Sequence, residues 1–328
     1  MDRHMDSDRQ NPLLVILGPT ASGKTSFAAN IAFHCRGEII SADSRQVYRD
    51  MDIGTVKDLQ DYCINGTRVP FHLVDIANAG EKYNLFEYQQ DFCKAYSDIH
   101  ERGHLPVLCG GSGLYLEAVL KGYRLVQVPV NPGLRKSLEK TQMDELSMIL
   151  ASYRPLHNTT DILERKRVIR AIEIEAYQAE HALADQSIPS LQPLVFGIRY
   201  ELEERRRRIT ARLHERLRQG MVDEVERLLQ KGLSPDQLVY YGLEYKFITL
   251  YITGKLAYDE MVRQLNIAIH QFAKRQMTWF RKMERDGTRI TWLKSETPLQ
   301  ENLQRVFDQM RLTKSYRSFL SDMPGNTP

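Results

Sequence analysis

The chain has 328 residues, 42% of them hydrophobic and 27% charged, which is enough apolar mass for a large buried core and excludes a chain disordered by composition. It contains no run of eighteen apolar residues, and its opening MDRHMDSDRQ lacks the apolar stretch of a secretory leader, so neither a membrane span nor export is expected. Net charge is only +3, yet residues 203–219 hold seven arginines against three glutamates and residues 266–289 hold six Lys or Arg against two acids. A basic C-terminal half suits a polyanionic partner.

In chain order, the apolar run 13–17 ends at Gly18 and reads as a buried strand. Residues 24–35 read as a helix, with Phe27, Ala28, Ile31 and Ala32 on one face and Gly37 stopping it. Short strands are predicted at 38–41 and 71–76, a helix at 84–102 closed by Gly103, and a strand at 106–109 running into Gly110-Gly111-Ser112-Gly113. Strands alternating with helices imply an α/β fold built on a parallel, doubly wound sheet. Beyond residue 122 the pattern turns to polar, Arg-rich helices, with a returning strand at 194–199. A long amphipathic helix over 258–283 sets an apolar stripe, Met261 to Met283, against a face carrying Arg263, His270, Lys274 and Arg281. Trp279 and Phe280 fall on the apolar side and read as core. The expected organisation is a catalytic core at 12–121, a helical insertion at 122–193 and core completion with basic helices at 194–315, with 1–11 and 316–328 frayed.

The segment Gly18-Pro19-Thr20-Ala21-Ser22-Gly23-Lys24-Thr25 fits G-x-x-x-x-G-K-[ST] and lies between a strand and a helix, where a phosphate cradle has to be. Glycines let backbone N–H groups wrap a phosphate, the helix N-terminus favours negative charge, Lys24 supplies a cation and the Thr25 hydroxyl suits Mg²⁺. The loop indicates a diphosphate or triphosphate without naming the reaction. Asp43, after the second strand, sits at the carboxyl end of the sheet, where it is either a general base, a helix cap or a Mg²⁺–water contact. Asp75, ending the strand 71–76, reads either as the acid that holds Mg²⁺ in many P-loop enzymes or as a satisfied strand-end aspartate. The Gly110–Gly113 run is either a second anion cradle or a plain turn. Arg205 to Arg208 point around one helix, so they cannot all serve one site. Cys35, Cys63, Cys93 and Cys109 form no C-x-x-C pair, which argues against zinc and disulfide frameworks and for the reducing cytoplasm.

Taken together, GPTASGKT (18–25), SADSRQVYRDMDIGT (41–55), FHLVDI (71–76), GGSGLYL (110–116) and HQFAKRQMTWFRK (270–282) resemble the bacterial tRNA dimethylallyltransferases, or tRNA isopentenyltransferases, over residues 12–293. The resemblance implies a P-loop NTPase-like core with an inserted helical clamp for the anticodon stem-loop. It implies transfer of a dimethylallyl group from dimethylallyl diphosphate to N6 of the adenosine 3′ to the tRNA anticodon. In that family Asp43 would be the general base, and Asp43, Ser44, Arg45 and Gln46 would contact the extruded adenosine. Lys24, Thr25 and Mg²⁺ would hold the diphosphate with the rest of Gly18 to Gly23 and Arg212. Ser112, Arg135, Arg167, Arg170, Arg208, Lys274, Arg275 and Gln276 would meet tRNA. The chain departs from the family pattern at 157–165 (HNTTDILER) and at Tyr241-Gly242-Leu243-Glu244-Tyr245-Lys246, where many relatives read A-I-G-Y-K-E. A P-loop nucleoside or nucleotide kinase and a non-catalytic nucleotide-dependent RNA-binding protein are the rival readings, and a GTPase lacks its N-K-x-D signature. No assembly motif is visible, so a monomer is the default.

Overall fold

The structure, a computed structural model, describes residues 11–153, 164–181 and 188–320. The chain forms two compact units, Met1–Tyr123 with Ile188–Pro328 and, inserted between them in sequence, Arg124–Ser187. The larger unit begins with β1 (Pro12–Leu17), α1 (Lys24–His34), β2 (Gly37–Ala42), the short hairpin β3 (Cys63–Ile64) and β4 (Thr67–Arg68), β5 (Phe71–His72), α2 (Leu85–Glu101), β6 (Leu105–Gly110) and α3 (Gly113–Leu120). The inserted unit contains α4 (Pro132–Leu138), α5 (Met143–Tyr153) and α6 (Arg165–Glu180), packed around Leu138, Leu146, Leu150, Val168 and Ile172. The larger unit resumes with β7 (Gln192–Arg199), α7 (Leu202–Arg218), α8 (Met221–Gln230), α9 (Pro235–Tyr240), α10 (Leu243–Ile252), α11 (Tyr258–Arg285), β8 (Ile290–Lys294) and α12 (Leu299–Leu312).

The main sheet has six strands in the order β5-β2-β6-β1-β7-β8, all parallel. Period-two alternation along β1 builds both sides of its core: Leu14 and Ile16 face α1 and α12, whereas Leu13, Val15 and Leu17 face α2, α3 and α11. Burial on both faces explains why this strand reads as a continuous apolar run rather than an alternating one. A further cluster joins α7, α8, α10 and α11 through Ile209, Leu213, Val225, Tyr245, Leu265 and Ile269.

Two expectations need correction. The strand expected at 71–76 stops at His72, because Leu73 and Asp75 take left-handed φ of 61° and 57° and the backbone of Asp75 and Ile76 bonds instead to Gln46 and Val47. This is the sheet's edge strand, pairing with β2 alone, so no second neighbour holds those residues in register. The chain expected to fray at 316 is ordered to Leu320, because Tyr316 is fully buried. Its hydroxyl accepts N–H bonds from Leu13 (3.0 Å) and Leu194 (3.1 Å) and donates to Gln192 (2.6 Å), tying β1 to β7. At the other end Asn11 is held by its side-chain bond to Ser190 O (3.0 Å).

Candidate active site

Because the strands are parallel, the loops after β1, β2 and β6 emerge at one edge, and these strands are consecutive in the sheet order β2-β6-β1. Three sequence motifs thereby meet. The loop after β1 carries Gly18–Gly23, the loop after β2 carries Asp43–Gln46, and the loop after β6 carries Gly111 and Ser112. They line a cavity of about 690 Å³ together with Arg212 of α7, Glu244 of α10 and Arg275, Gln276 and Trp279 of α11. This is the position at which open α/β sheets bind ligands.

The phosphate loop turns through left-handed Ala21 (φ 63°) and Gly23 (φ 77°) before α1 begins at Lys24. Glycine makes the second of these conformations inexpensive, and the turn presents successive backbone N–H groups at a helix N-terminus. Burial lowers the Lys24 pKa, against the opposing influence of Cys109 and Asp43 beside it. Burial and the adjacent Arg216 pull Arg212 down to about 10, and its guanidinium hydrogen-bonds the Thr20 hydroxyl. Both cations thus carry a desolvation cost that a bound polyanion would offset. On the acidic side, Asp43 Oδ1 accepts the Arg45 N–H (2.9 Å), which fixes the carboxylate in a turn of its own loop. Burial raises Asp61, with Asp58 adding to the effect, and burial raises Glu244.

Gln276, which the resemblance assigns to RNA, is also bonded within the protein. Its Oε1 accepts the Thr20 N–H (2.8 Å) and its Nε2 donates to Gly111 O (2.9 Å), with the residue only 7% exposed. Each end of the amide makes one of these bonds, and together they tie the phosphate loop to the loop after β6. Ser112 is similarly engaged: its Oγ accepts the Ser44 N–H (3.0 Å), and its own N–H bonds Ala42 O (3.1 Å). Asp75 does not line the cavity and pairs with Lys57 Nζ at 2.5 Å, which satisfies a lysine side chain 1% exposed. It is a neutralising partner for a buried cation rather than a phosphate-side acid.

Of the expected site residues, Thr20 to Thr25, Asp43 to Gln46, Ser112, Arg212, Arg275 and Gln276 line the cavity. Gly18, Pro19, Arg208 and Lys274 do not line it. Arg208 pairs with Glu204 (2.8 Å) and stacks over Tyr200, while Lys274 is exposed on α11. Arg135 and Arg170 of the inserted unit converge on the buried Glu173, Arg135 through a two-pronged contact at 3.0 and 2.8 Å. Asn131 N–H adds a third donor at 2.5 Å. Burial alone would raise Glu173, but these bonds outweigh it and hold its carboxyl at about 2. Arg167 pairs with Glu164 on the surface. The departure at 157–165 lies outside the described residues except for Glu164 and Arg165.

Sequence reasoning missed several lining residues. Glu244 lies in the 241–246 departure, and Asp61 carries no motif signal. Trp279, expected in the core, is half-buried, lines the cavity and keeps a buried indole N–H without a partner among the described residues. Tyr240 lies beneath the Arg45 guanidinium (5.6 Å to the ring centroid).

Residues 46–283 match the family described as IPP transferase. The chain is also 57% identical to tRNA dimethylallyltransferase 2 of Bacteroides fragilis, over 91% of its own length and 98% of that protein. The chain belongs to the IPP transferase family. Another family member, tRNA dimethylallyltransferase 1 of Parabacteroides distasonis, is 57% identical over 89% of this chain and 95% of that protein. The fold is that of the crystallised tRNA isopentenylpyrophosphate transferase from Bacillus halodurans, with TM-score 0.69, 28% identity and coverage of 94% and 98% of the two chains. Among the described residues no helix is long and apolar enough to cross a membrane.

Proposed function

We propose that this chain is a tRNA dimethylallyltransferase that moves the dimethylallyl group of dimethylallyl diphosphate to N6 of the adenosine 3′ to the anticodon, releasing diphosphate. The observation that carries this reading is the single cavity in which a phosphate loop, two desolvated cations and Asp43 face one another.

The loop amides, Lys24 and Arg212 receive the diphosphate and stabilise the charge that builds on it as the carbon–oxygen bond breaks. Asp43 takes the proton from the adenine amino group as the carbon–nitrogen bond forms. A carboxylate suffices because the attacked nitrogen becomes acidic during bond formation. The target amine lies inside a stacked anticodon loop, so the base is extruded to reach the cavity. Tyr115, Tyr240, Phe272 and Trp279 line the same space and supply apolar faces for a prenyl chain and an unstacked base. Arg45 and Arg275, which line the cavity, and the exposed Lys274 supply cations for RNA phosphates.

Mg²⁺ fits this donor set. Thr25 and Asp61 bring hard oxygen atoms to one cavity. That pattern suits an ion shared between a few protein oxygens and substrate phosphates. When bound, the ion would add positive charge next to the leaving diphosphate.

The test is to incubate the protein with Mg²⁺, labelled dimethylallyl diphosphate and unmodified tRNA carrying adenosine 3′ to the anticodon. Label at that adenosine is expected. Absence of label together with phosphate transfer from ATP to a nucleoside would replace this reading with a kinase.

A further inference from the structure

We propose that Glu224, remote from the reacting groups, is a positioning residue that fixes the 52–58 loop as the acceptor-side wall of the cavity. The inference rests on the functional reading above only in naming that side as the acceptor's.

The loop between β2 and the turn at Leu59–Tyr62 contributes Gly54, Thr55, Val56 and Asp58 to the cavity. It has little regular structure of its own, so its shape must be imposed from outside. Glu224 of α8 imposes it. One carboxylate oxygen accepts the N–H groups of Asp52 (2.9 Å) and Ile53 (2.7 Å), and the other accepts Gly54 N–H (2.9 Å) and the Tyr245 hydroxyl (2.7 Å). Glu224 is 3% exposed, so these four donors are its compensation for burial. Arg216 of α7 holds the same loop from the adjacent helix, donating to Ile53 O (3.0 Å) and Asp58 Oδ2 (2.5 Å). Gly54 lies against the Tyr245 ring so closely that an added Cβ would sit 2.7 Å from a ring carbon.

The clamp reaches the site through two contacts. Val56 sits at φ 60°, a strained conformation for a β-branched residue that persists only where its surroundings over-determine it. Its carbonyl accepts Gln46 Nε2 (3.0 Å), and Gln46 lines the cavity three residues from Asp43. Lys57 Nζ, bonded to Tyr48 O (2.8 Å), Asp52 (2.7 Å) and Asp75 (2.5 Å), anchors the same loop to the segment after Gln46. The phosphate loop takes part in none of these contacts. A slackened clamp therefore disturbs the side of the cavity that orients the acceptor and leaves diphosphate binding intact.

In Glu224→Gln the amide keeps one accepting oxygen and turns an NH₂ group toward backbone donors. In the full-length protein, hydrogen exchange at residues 52–54 should accelerate at least about 10-fold while the β1–α1 segment is unchanged. The kcat/KM for the RNA acceptor, per folded molecule, should fall about 10- to 100-fold, with the Kd for dimethylallyl diphosphate within about twofold of wild type. Arg216→Lys, which loses the forked contact, should give the same pattern and replaces Glu224→Gln if that variant does not fold. Unchanged acceptor kcat/KM despite a loosened loop would reduce Glu224 to a stabilising residue and overturn the proposal. An equal loss of diphosphate affinity would overturn it as well. If the wild-type protein transfers nothing to RNA, the functional reading fails by itself; the clamp is then judged by exchange, and unchanged protection at 52–54 in the variants would refute it.

Discussion

Gln276 illustrates how a residue close to a ligand site can act through the scaffold. Its amide joins Thr20 of the phosphate loop to Gly111 of the loop after β6, and both bonds are buried. Gln276→Ala leaves one backbone donor and one acceptor without partners, a cost of about 1–3 kcal/mol for each group. It should lower the melting temperature and weaken diphosphate binding, measured by direct titration, while RNA affinity changes little. A selective loss of RNA affinity would instead return Gln276 to the RNA-facing role that the resemblance implies. At this scale the sequence is informative where a residue's chemistry is tied to a local conformation. The phosphate loop is legible because its glycines, Lys24 and Thr25 serve one turn at fixed spacing, and Asp43 because it follows a strand. Glu244, Asp61 and Trp279 are not, because they reach the cavity from three separate elements, α10, the turn after residue 58 and α11. No local spacing encodes such a convergence.

Among the elements, β2 links the two ends of the sheet. Its carboxyl end delivers Asp43, and near its amino end Glu38 collects Arg102 (3.0 and 2.8 Å), His72 (2.7 Å) and His104 (2.6 Å) from the flanking segments. Burial alone would raise the Glu38 pKa, but the bonds from Arg102, His72 and His104 outweigh it and hold the carboxyl at about 2 instead of the ordinary 4.5. A depressed carboxyl stabilises the fold above its unfolded value and loses that stabilisation as pH falls through its folded one. The melting-temperature gap between wild type and Glu38→Gln should therefore be full at pH 6 and close between about 4.5 and 2. A gap independent of pH would show that the carboxylate's charge contributes nothing. Element type was legible where periodicity and burial agreed, as in β1 and α11. It failed at residues 73–76, where Leu73 and Val74 are buried but the backbone of Asp75 and Ile76 bonds laterally to the segment after Asp43. Burial accounts for the apolar residues there, and hydrogen bonding withholds the strand.

For the molecule as a whole, the alternation of strands and helices gave the parallel sheet, and the order β2-β6-β1 turns three separated motifs into one site. The sheet order itself was not legible, since it depends on which faces each helix covers. Nor was the closure by Tyr316, whose single hydroxyl joins β1 to β7 from a tail that reads as polar and frayed. The chain divides into two units, Met1–Tyr123 with Ile188–Pro328 and Arg124–Ser187. We propose that this topology sets Asp43 beside the bound diphosphate so that it takes the acceptor's proton. The most direct test is single-turnover transfer from labelled dimethylallyl diphosphate to unmodified tRNA by Asp43→Ala, with diphosphate affinity measured in parallel. A rate lower by about 10²- to 10⁴-fold at unchanged diphosphate affinity is expected; a rate near that of wild type would remove Asp43 from the chemistry.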